Sequence, residues 1–191
     1  MISPRVTILI PVHNDEQYIS KAIDSAVGQK YQGLLQVFIV DDGSTDDSWK
    51  VVNNLFEEVA EERVVSDLEL KSGKYKGVQL TAVKRPLAGG PSAARNTGIK
   101  LTINHTDVYA MLDSDDEFYP DKVRKCVNLM SSNPQLIGAV YADYDTYDTK
   151  TGNTIREFKE PFNRRRLVEE CIVHSGSVVS KAALESVVEE T

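Results

Sequence analysis

The sequence is poor in the residues that mark a metal cluster, a disulfide scaffold or a membrane span. It has only two cysteines and three histidines among 191 residues, and Cys126 and Cys171 lie too far apart for paired metal ligands. We therefore expect both thiols to be reduced, in a cytoplasmic protein. The apolar run 6–12 is interrupted by Thr7 and Pro11, and it is far shorter than the roughly 20 residues of a transmembrane helix.

Positive charge is also scarce. The 22 Lys and Arg residues are outnumbered by 29 Asp and Glu, which gives a net charge of −7. A nucleic acid partner is not expected, because phosphate backbones attract clustered basic side chains. One basic run, 164–166, is typical of a solvated helix start, with contact to an anionic acceptor or a membrane surface as the alternative. The 41% of apolar residues predicts a single domain over residues 1–191.

Short apolar runs alternate with helical periodicity along the chain. Strands are predicted at 6–12, 36–40, 78–83, 108–112 and 139–144. Helices are predicted over 19–27, from a capping box at Ser44 to about Glu62, over 92–101, and after Pro120. This order predicts an α/β fold with a mostly parallel central sheet flanked by helices.

Three later regions have weaker patterns. Residues 63–77 are polar and contain two glycines, which fits a loop, a small hairpin or an excursion at the sheet edge. Residues 148–152 have the turn chemistry of a hairpin. Beyond Phe158 we expect a helix over 164–171 and another from Lys181.

Polar residues follow three of the predicted strands, at 11–14, 41–42 and 113–116. In an open parallel sheet the carboxyl ends of the strands form the crevice where ligands bind. Each group alone could be a helix cap, a turn or a solvated loop. Three such groups at equivalent strand ends favour one shared site.

The acidic loop after the fourth strand predicts a cation site. Asp113 and Asp115 are one residue apart, and carboxylate oxygens suit Mg²⁺ or Mn²⁺, which complete their coordination with substrate phosphates. We expect Asp115 to be the main ligand and Asp113 to support the ion or a ribose hydroxyl. Asp116 is expected to be structural. The alternative is an acidic loop that stabilises the following helix through its dipole.

The other two groups suggest a nucleotide. Asp42 could accept the N3–H of a uracil ring, with Asp41 closer to the strand and more buried. The segment 89–96 places glycines before a helix N-terminus, which favours anions, yet it matches neither a dinucleotide nor a phosphate-loop motif. Arg95 is expected either to donate to a phosphate or to pair with Asp113 or Asp41.

Four blocks together resemble glycosyltransferase family 2. They occur in the family's order at 7–14 (TILIPVHN), 39–46 (IVDDGSTD), 92–99 (SAARNTGI), and 112–116 (LDSDD) followed by Pro120-Asp121. The stretches 141–143 and 174–177 are similar to later, looser features of the family. Four ordered blocks are far more specific than any one of them.

The resemblance implies a GT-A, Rossmann-like fold and an inverting, hexosyltransferase-type enzyme of polysaccharide biosynthesis. The implied donor is a nucleotide-diphosphate sugar, first of all a UDP-sugar, the acceptor is a saccharide or other hydroxyl, and the cofactor is Mn²⁺ or Mg²⁺. Nucleotide-sugar contacts are implied for Pro11, Val12, His13, Asn14, Glu16, Asp42, Arg95, Asp113 and Ser114, and metal contacts for Asp115 and Asp113. The catalytic base is expected beyond Thr191, so the acceptor part would lie outside this chain. Self-association is left open.

Asp143 and Asp145 are predicted near the active edge of the sheet, but neither is a convincing substitute for the missing base. His174 could contact a metal or an acceptor, or it could be a satisfied core or surface histidine. Without the base, the chain alone would bind nucleotide and transfer sugar poorly. The rival interpretations are a non-catalytic nucleotide-sugar-binding module, a phosphohydrolase with an Asp nucleophile, and a nucleotidyltransferase. The phosphohydrolase is disfavoured by Glu117, which stands where that chemistry usually has Thr or Val, and the nucleotidyltransferase by the lack of a basic Gly-rich opening loop.

Overall fold

The computed structural model describes residues 3–188, leaving out the side chains of 58–60 and 188. The strands are β1 (Val6–Val12), β2 (Leu35–Asp41), β3 (Glu58–Val65), β4 (Leu68–Tyr75), β5 (Val78–Lys84), β6 (Val108–Met111), β7 (Ala139–Val140), β8 (Tyr144–Tyr147), β9 (Thr154–Glu157) and β10 (Val178–Ser180). The helices are α1 (Ile19–Val27), α2 (Ser48–Asn54), α3 (Pro91–Thr102), α4 (Lys122–Ser132) and α5 (Lys181–Val188).

Eight strands form one sheet in the order β3-β4-β5-β2-β1-β6-β10-β7, and β8 and β9 form a separate hairpin. The central strands β5, β2, β1 and β6 are parallel, while the strands at both edges pair antiparallel. The predicted mostly parallel centre flanked by helices is therefore confirmed. The segment 63–77 is the edge hairpin that was one of its three predicted alternatives.

The core lies on both faces of the sheet because the central strands are apolar on both. In β1, Ile8 and Ile10 face a cluster that includes α1 and α4, whereas Leu9 faces a second cluster beside α3. All three are fully buried. Such strands need helices on either side to exclude water, which is why the mostly apolar run 6–12 predicted a strand buried on both faces.

The second predicted helix was wrong in both start and length. The Ser44 hydroxyl accepts the N–H of Asn14 at 3.1 Å, and the Ser44 N–H donates to Asp41 Oδ1 at 2.8 Å, so Ser44 does not cap a helix. Helix α2 begins four residues later, where Asp46 Oδ1 accepts the Ser48 N–H at 2.9 Å. Beyond it the chain enters β3, because pairing with β4 outweighs the helical pattern of the sequence.

Two further predictions need correction. The single strand over 139–144 is divided between β7 and β8, since Tyr141 donates to the Glu160 carbonyl and Asp143 accepts the Lys159 N–H, contacts that draw the chain out of the main sheet. The helix over 164–171 is only one 3₁₀ turn, Arg166–Val168. None of the helices within residues 3–188 combines the length and apolar character needed to cross a bilayer.

Candidate active site

A cleft of about 680 Å³ opens at the carboxyl ends of the central strands. Strand β1 lies between β2 and β6 and is parallel to both, so the loops after all three strands meet at one edge. The residues that line it are Pro11, Val12, His13, Asp15, Asp42, Ala88, Gly90, Pro91, Ala94, Arg95, Asp113, Ser114, Asp115 and Ser175.

Most of the predicted site residues meet here. Eight of the ten line the cleft: Pro11, Val12, His13, Asp42, Arg95, Asp113, Ser114 and Asp115. In particular, Asp42 and Asp115 share one cavity although they are far apart in sequence. Their roles toward a ligand stay predictions, but the convergence on which those roles depend is present.

The carboxylate of Asp42 is held by Arg85, Gly89 and Gly90, which together we call the Asp42 cradle. Only 2% of its surface is exposed, its Oδ2 accepts the N–H groups of Gly89 and Gly90 at 2.9 and 2.7 Å, and its Oδ1 pairs with Arg85. A carboxylate offers about four acceptor positions, so the protein occupies three. One position is left for a ligand donor such as a ring N–H.

Two glycines make this cradle possible. Gly43 has φ of +69°, and a Cβ there would lie 2.8 Å from the backbone nitrogen of Ala88. Gly90 has φ of +87° at the start of α3. Residues with side chains are strained in this region of φ. The loop before α3 can therefore pass close to the end of β2 and present its N–H groups to Asp42.

Arg95 pairs with Asp113, which is one of the two arrangements that the sequence left open. Helix α3 places Arg95 at the cleft, with 23% of its side chain exposed. Its buried Nε has no hydrogen-bond partner among the described residues. A guanidinium carries five N–H donors and this side chain is partly exposed at the cleft, so the phosphate interpretation stays compatible with the Asp113 pairing.

Asn14 and Glu16 are not among the residues that line the cleft, and their contacts with a nucleotide stay predictions. Asn14 Oδ1 accepts the N–H of Thr45 at 2.8 Å, and Glu16 carboxylate accepts the N–H of Asp47 at 2.8 Å. Asn14 has φ of +57°, a conformation that Asn tolerates better than most residues. Both side chains therefore fasten the loop after β1 to the loop before α2.

Asp15, between those two residues, was missed and does line the cleft. Its carboxylate accepts a hydrogen bond from the hydroxyl of Ser114 in the acidic loop. The side chains of successive residues often point in opposite directions. This alternation could have suggested that Asp15 points into the cleft while its neighbours Asn14 and Glu16 point away from it. Ser175 was also not selected, although it lies in the stretch 174–177 that is similar to a later feature of the family. Arg85 was not selected either, and no local pattern distinguishes it.

The acidic loop fits a divalent cation. Asp115 is exposed and, within residues 3–188, its carboxylate has no hydrogen-bond or ionic partner. Loss of solvation, reinforced by the negative charges of Asp115 and Asp113, raises the pKa of Asp116. Among the described residues no three His, Cys, Asp or Glu side chains form a ready-made metal site. The donors therefore suit an ion that completes its coordination with phosphate.

His174 is satisfied within the protein. Gly176 N–H donates to its Nδ1 at 2.9 Å, so the proton lies on Nε2, which donates to the Ala142 carbonyl at 3.0 Å. Burial, reinforced by the charge of Lys122, lowers the pKa of His174. With both ring nitrogens engaged, the neutral imidazole has none free for a metal.

Asp143 and Asp145 are engaged as well. Asp143 accepts the N–H of Lys159 at 2.9 Å. Asp145 accepts from Arg156 at 2.9 Å and from the Tyr119 hydroxyl, and these two hydrogen bonds lower the pKa of Asp145. Both carboxylates are therefore held by contacts within the protein, which disfavours either of them as the general base.

The fold and the cleft define an α/β protein with a cleft at the carboxyl ends of its parallel strands. The chain belongs to the glycosyl transferase family 2, whose sequence model matches residues 7–188. A glycosyltransferase from Haemophilus influenzae, named as uncharacterized, is 35% identical over 156 residues, which cover 82% of this chain and 53% of that protein. The chain thus spans about half the length of that curated relative.

Solved structures show the same fold. S. aureus TarS 1-349 in complex with UDP-GlcNAc superimposes with a TM-score of 0.68 at 18% identity, over 95% of this chain and 47% of that chain. A mannosyltransferase from Pyrobaculum calidifontis in complex with GDP-Man and Mn²⁺ gives 0.65 at 19% identity, over 98% and 47%. The chain therefore has the GT-A fold, as the sequence blocks predicted.

Proposed function

We propose that the chain is the donor-binding part of a glycosyltransferase that uses a nucleotide-diphosphate sugar, first of all a UDP-sugar. The proposal rests on the cleft that Asp42 and Asp115 both line. This cleft offers a hydrogen-bond acceptor for a nucleobase and a cation site for a diphosphate, so that a single nucleotide can contact both. The nucleotide sugars named with the two structural neighbours support a donor of this class.

In this proposal Asp115, supported by Asp113, holds Mn²⁺ or Mg²⁺. When bound, the ion would neutralise part of the charge on the departing nucleoside diphosphate. Ser114 lies between the two carboxylates and is fixed by Asp15. Fixing this loop in advance avoids the entropic cost of ordering it around the ligand.

The start of α3 supplies the second contact with the diphosphate. Gly90, Pro91, Ala94 and Arg95 all line the cleft, and the positive end of the helix dipole at the start of α3 favours an anion. Arg95 adds a fixed cation. Both stabilise charge that grows on the leaving group as the bond to the sugar breaks.

We further propose that an acceptor hydroxyl attacks the anomeric carbon from the opposite face, which inverts its configuration. The attack requires a base, and Asp143 and Asp145 are both engaged elsewhere. The chain alone is therefore expected to bind the donor and to transfer its sugar poorly. A binding module without activity is the second candidate, favoured by the same two engaged carboxylates.

Calorimetric titration of UDP, with and without Mn²⁺, tests the donor site. Metal and diphosphate should each strengthen the binding of the other, by about 5- to 150-fold as is typical of coupled ligands. The Asp115→Asn variant should lose this gain and keep the metal-free affinity. Glu117→Gln, an equal change of charge at another exposed residue of the same loop, is the matched control and should retain it.

Equal UDP affinity for wild type and Asp115→Asn, with and without Mn²⁺, would refute the metal clamp. Transfer is tested separately, by comparing release of UDP from a UDP-sugar with and without a saccharide acceptor. Release that depends on the acceptor supports the enzyme, whereas tight binding without any release in the full-length polypeptide supports the module.

A further inference from the structure

The segment after β9 exposes a group of large apolar side chains beside two arginines. The exposed fractions of Phe158, Phe162 and Val168 are 79%, 62% and 88%. Apolar side chains of this size are more often buried, and their exposure within one short segment of the chain suggests a contact site. We refer to Phe158, Phe162, Arg164, Arg165, Leu167 and Val168 as the 158–168 surface.

Local hydrogen bonds fix the shape of this surface. Asn163 Oδ1 accepts the N–H of Arg165 at 3.0 Å, and the Asn163 carbonyl accepts the N–H of Leu167 at 3.0 Å. The chain therefore turns once between 163 and 168. In such a turn, residues three positions apart lie on the same side, which brings Arg164 beside Leu167 and Arg165 beside Val168.

The three arginines of the basic run have different surroundings. Arg166 is used within the fold, where it lies 2.6 Å from Glu170 and 3.4 Å from Glu160. Arg164 and Arg165 are exposed, and neither has an ionic partner in the part of the chain that the structure describes. Two unpaired cations thus stand among apolar groups, in a chain whose net charge is −7.

Lys159, which follows Phe158 in the sequence, is linked to the neighbourhood of the cleft. Lys159 Nζ lies 5.3 Å from the centre of the Tyr144 ring, and that ring lies 5.3 Å from the ring of His174. The next residue, Ser175, lines the cleft. At Lys159, the segment that carries this surface is therefore linked through two ring contacts to His174, the neighbour of a cleft residue.

We propose that the 158–168 surface docks on an anionic lipid bilayer. Exposed aromatic and aliphatic groups gain by entering the headgroup region, and arginines beside them reach anionic phosphates. A soluble polyanion would satisfy Arg164 and Arg165 but would leave the apolar groups in water. The combination of both kinds of side chain favours the lipid.

Sedimentation with vesicles tests the proposal. The chain should bind vesicles of phosphatidylcholine and phosphatidylglycerol, bind those of phosphatidylcholine alone much more weakly, and dissociate at high salt. Arg164→Gln with Arg165→Gln should lower the partition coefficient by about 30-fold, the loss of two basic side chains at such a surface. Phe162→Ser with Val168→Ser should weaken binding to a similar extent.

The controls remove equal charge or equal apolar surface elsewhere. Lys21→Gln with Lys100→Gln, on α1 and α3, and Leu34→Ser with Leu136→Ser should bind vesicles like wild type. All variants should keep the UDP affinity of wild type, which separates failure of this proposal from failure of folding or of the donor site.

Three results would overturn the lipid assignment. One is equal binding to both kinds of vesicle or to neither. Another is tight binding to soluble polyphosphate that the serine variants leave unchanged. The last is self-association, seen by sedimentation velocity, that the serine variants abolish while vesicle binding is absent.

Discussion

The guanidinium of Arg85 pairs with the buried carboxylate of Asp42. Arg85 follows β5, and Asp42 follows β2, so the pair ties two neighbouring strands together directly beneath the cleft. The Gly89 and Gly90 N–H groups complete the cradle. Asp42 therefore has a structural role in addition to any contact with a nucleobase.

Removing Arg85 should destabilise the fold. Arg85→Met leaves a carboxylate that is 3% exposed without its counter-charge, which we expect to lower the free energy of unfolding by about 3 kcal/mol. Urea unfolding measures the change. Arg124→Met is the control, because Arg124 pairs with Asp121 at the surface and such pairs contribute about 1 kcal/mol or less. Equal losses in the two variants would contradict the buried cradle.

Asn14 should act through stability and not through ligand binding. Asn14→Ala removes the acceptor of the Thr45 N–H and places alanine at φ of +57°, which together should cost about 1–3 kcal/mol of unfolding free energy. UDP affinity, measured where the variant is folded, should stay within about twofold of wild type. A large loss of affinity with unchanged stability would return Asn14 to the binding site.

Asp15 and Ser114 should act as one unit. Each of Asp15→Ala and Ser114→Ala removes the same hydrogen bond and should reduce UDP affinity in the presence of Mn²⁺. The double variant should bind UDP no more weakly than the weaker-binding of the two single variants. This corresponds to a coupling energy of about 0.5–3 kcal/mol between the two residues. Strictly additive losses would mean that Asp15 touches the ligand independently of Ser114.

Asp41 should make stability fall as pH rises. Burial raises the pKa of Asp41, and its Oδ2 has no hydrogen-bond partner among the described residues. The folded state therefore keeps this proton at pH values where the unfolded chain, with an aspartate pKa of about 3.9, has lost it. The contribution of this proton to the free energy of unfolding is therefore complete below a pH of about 3.9. It is lost as the pH rises through the raised pKa of Asp41 in the folded state.

The Asp41→Asn variant isolates this effect. A carboxylate whose pKa is lowered by folding changes stability with pH in the opposite direction. The hydrogen bond from Arg5 lowers the pKa of Asp107, so the contribution of Asp107 to stability is lost as pH falls. The difference in unfolding free energy, wild type minus variant, should decrease steadily from about pH 4 upward. A difference that is flat with pH would show that Asp41 titrates normally.

Sequence patterns predicted the central elements well because those patterns are local. The run 6–12 is β1 to the residue, and the periodicity of 19–27 is α1. The errors fall where long-range pairing decided the outcome. Residues 58–62 have a helical pattern but lie in β3, because β4 offers the hydrogen bonds of a sheet edge.

The sequence by itself determined that three acidic or polar groups follow central strands, and parallel strands bring such ends together. Only the tertiary structure decided which side chains enter the cleft. Asn14 and Glu16 turn toward the loop before α2, Asp15 turns inward, and Arg85 reaches Asp42 across 43 positions of sequence. The physical reason is that a strand's end is set by its own residues, whereas the direction of a loop side chain depends on partners supplied by distant segments.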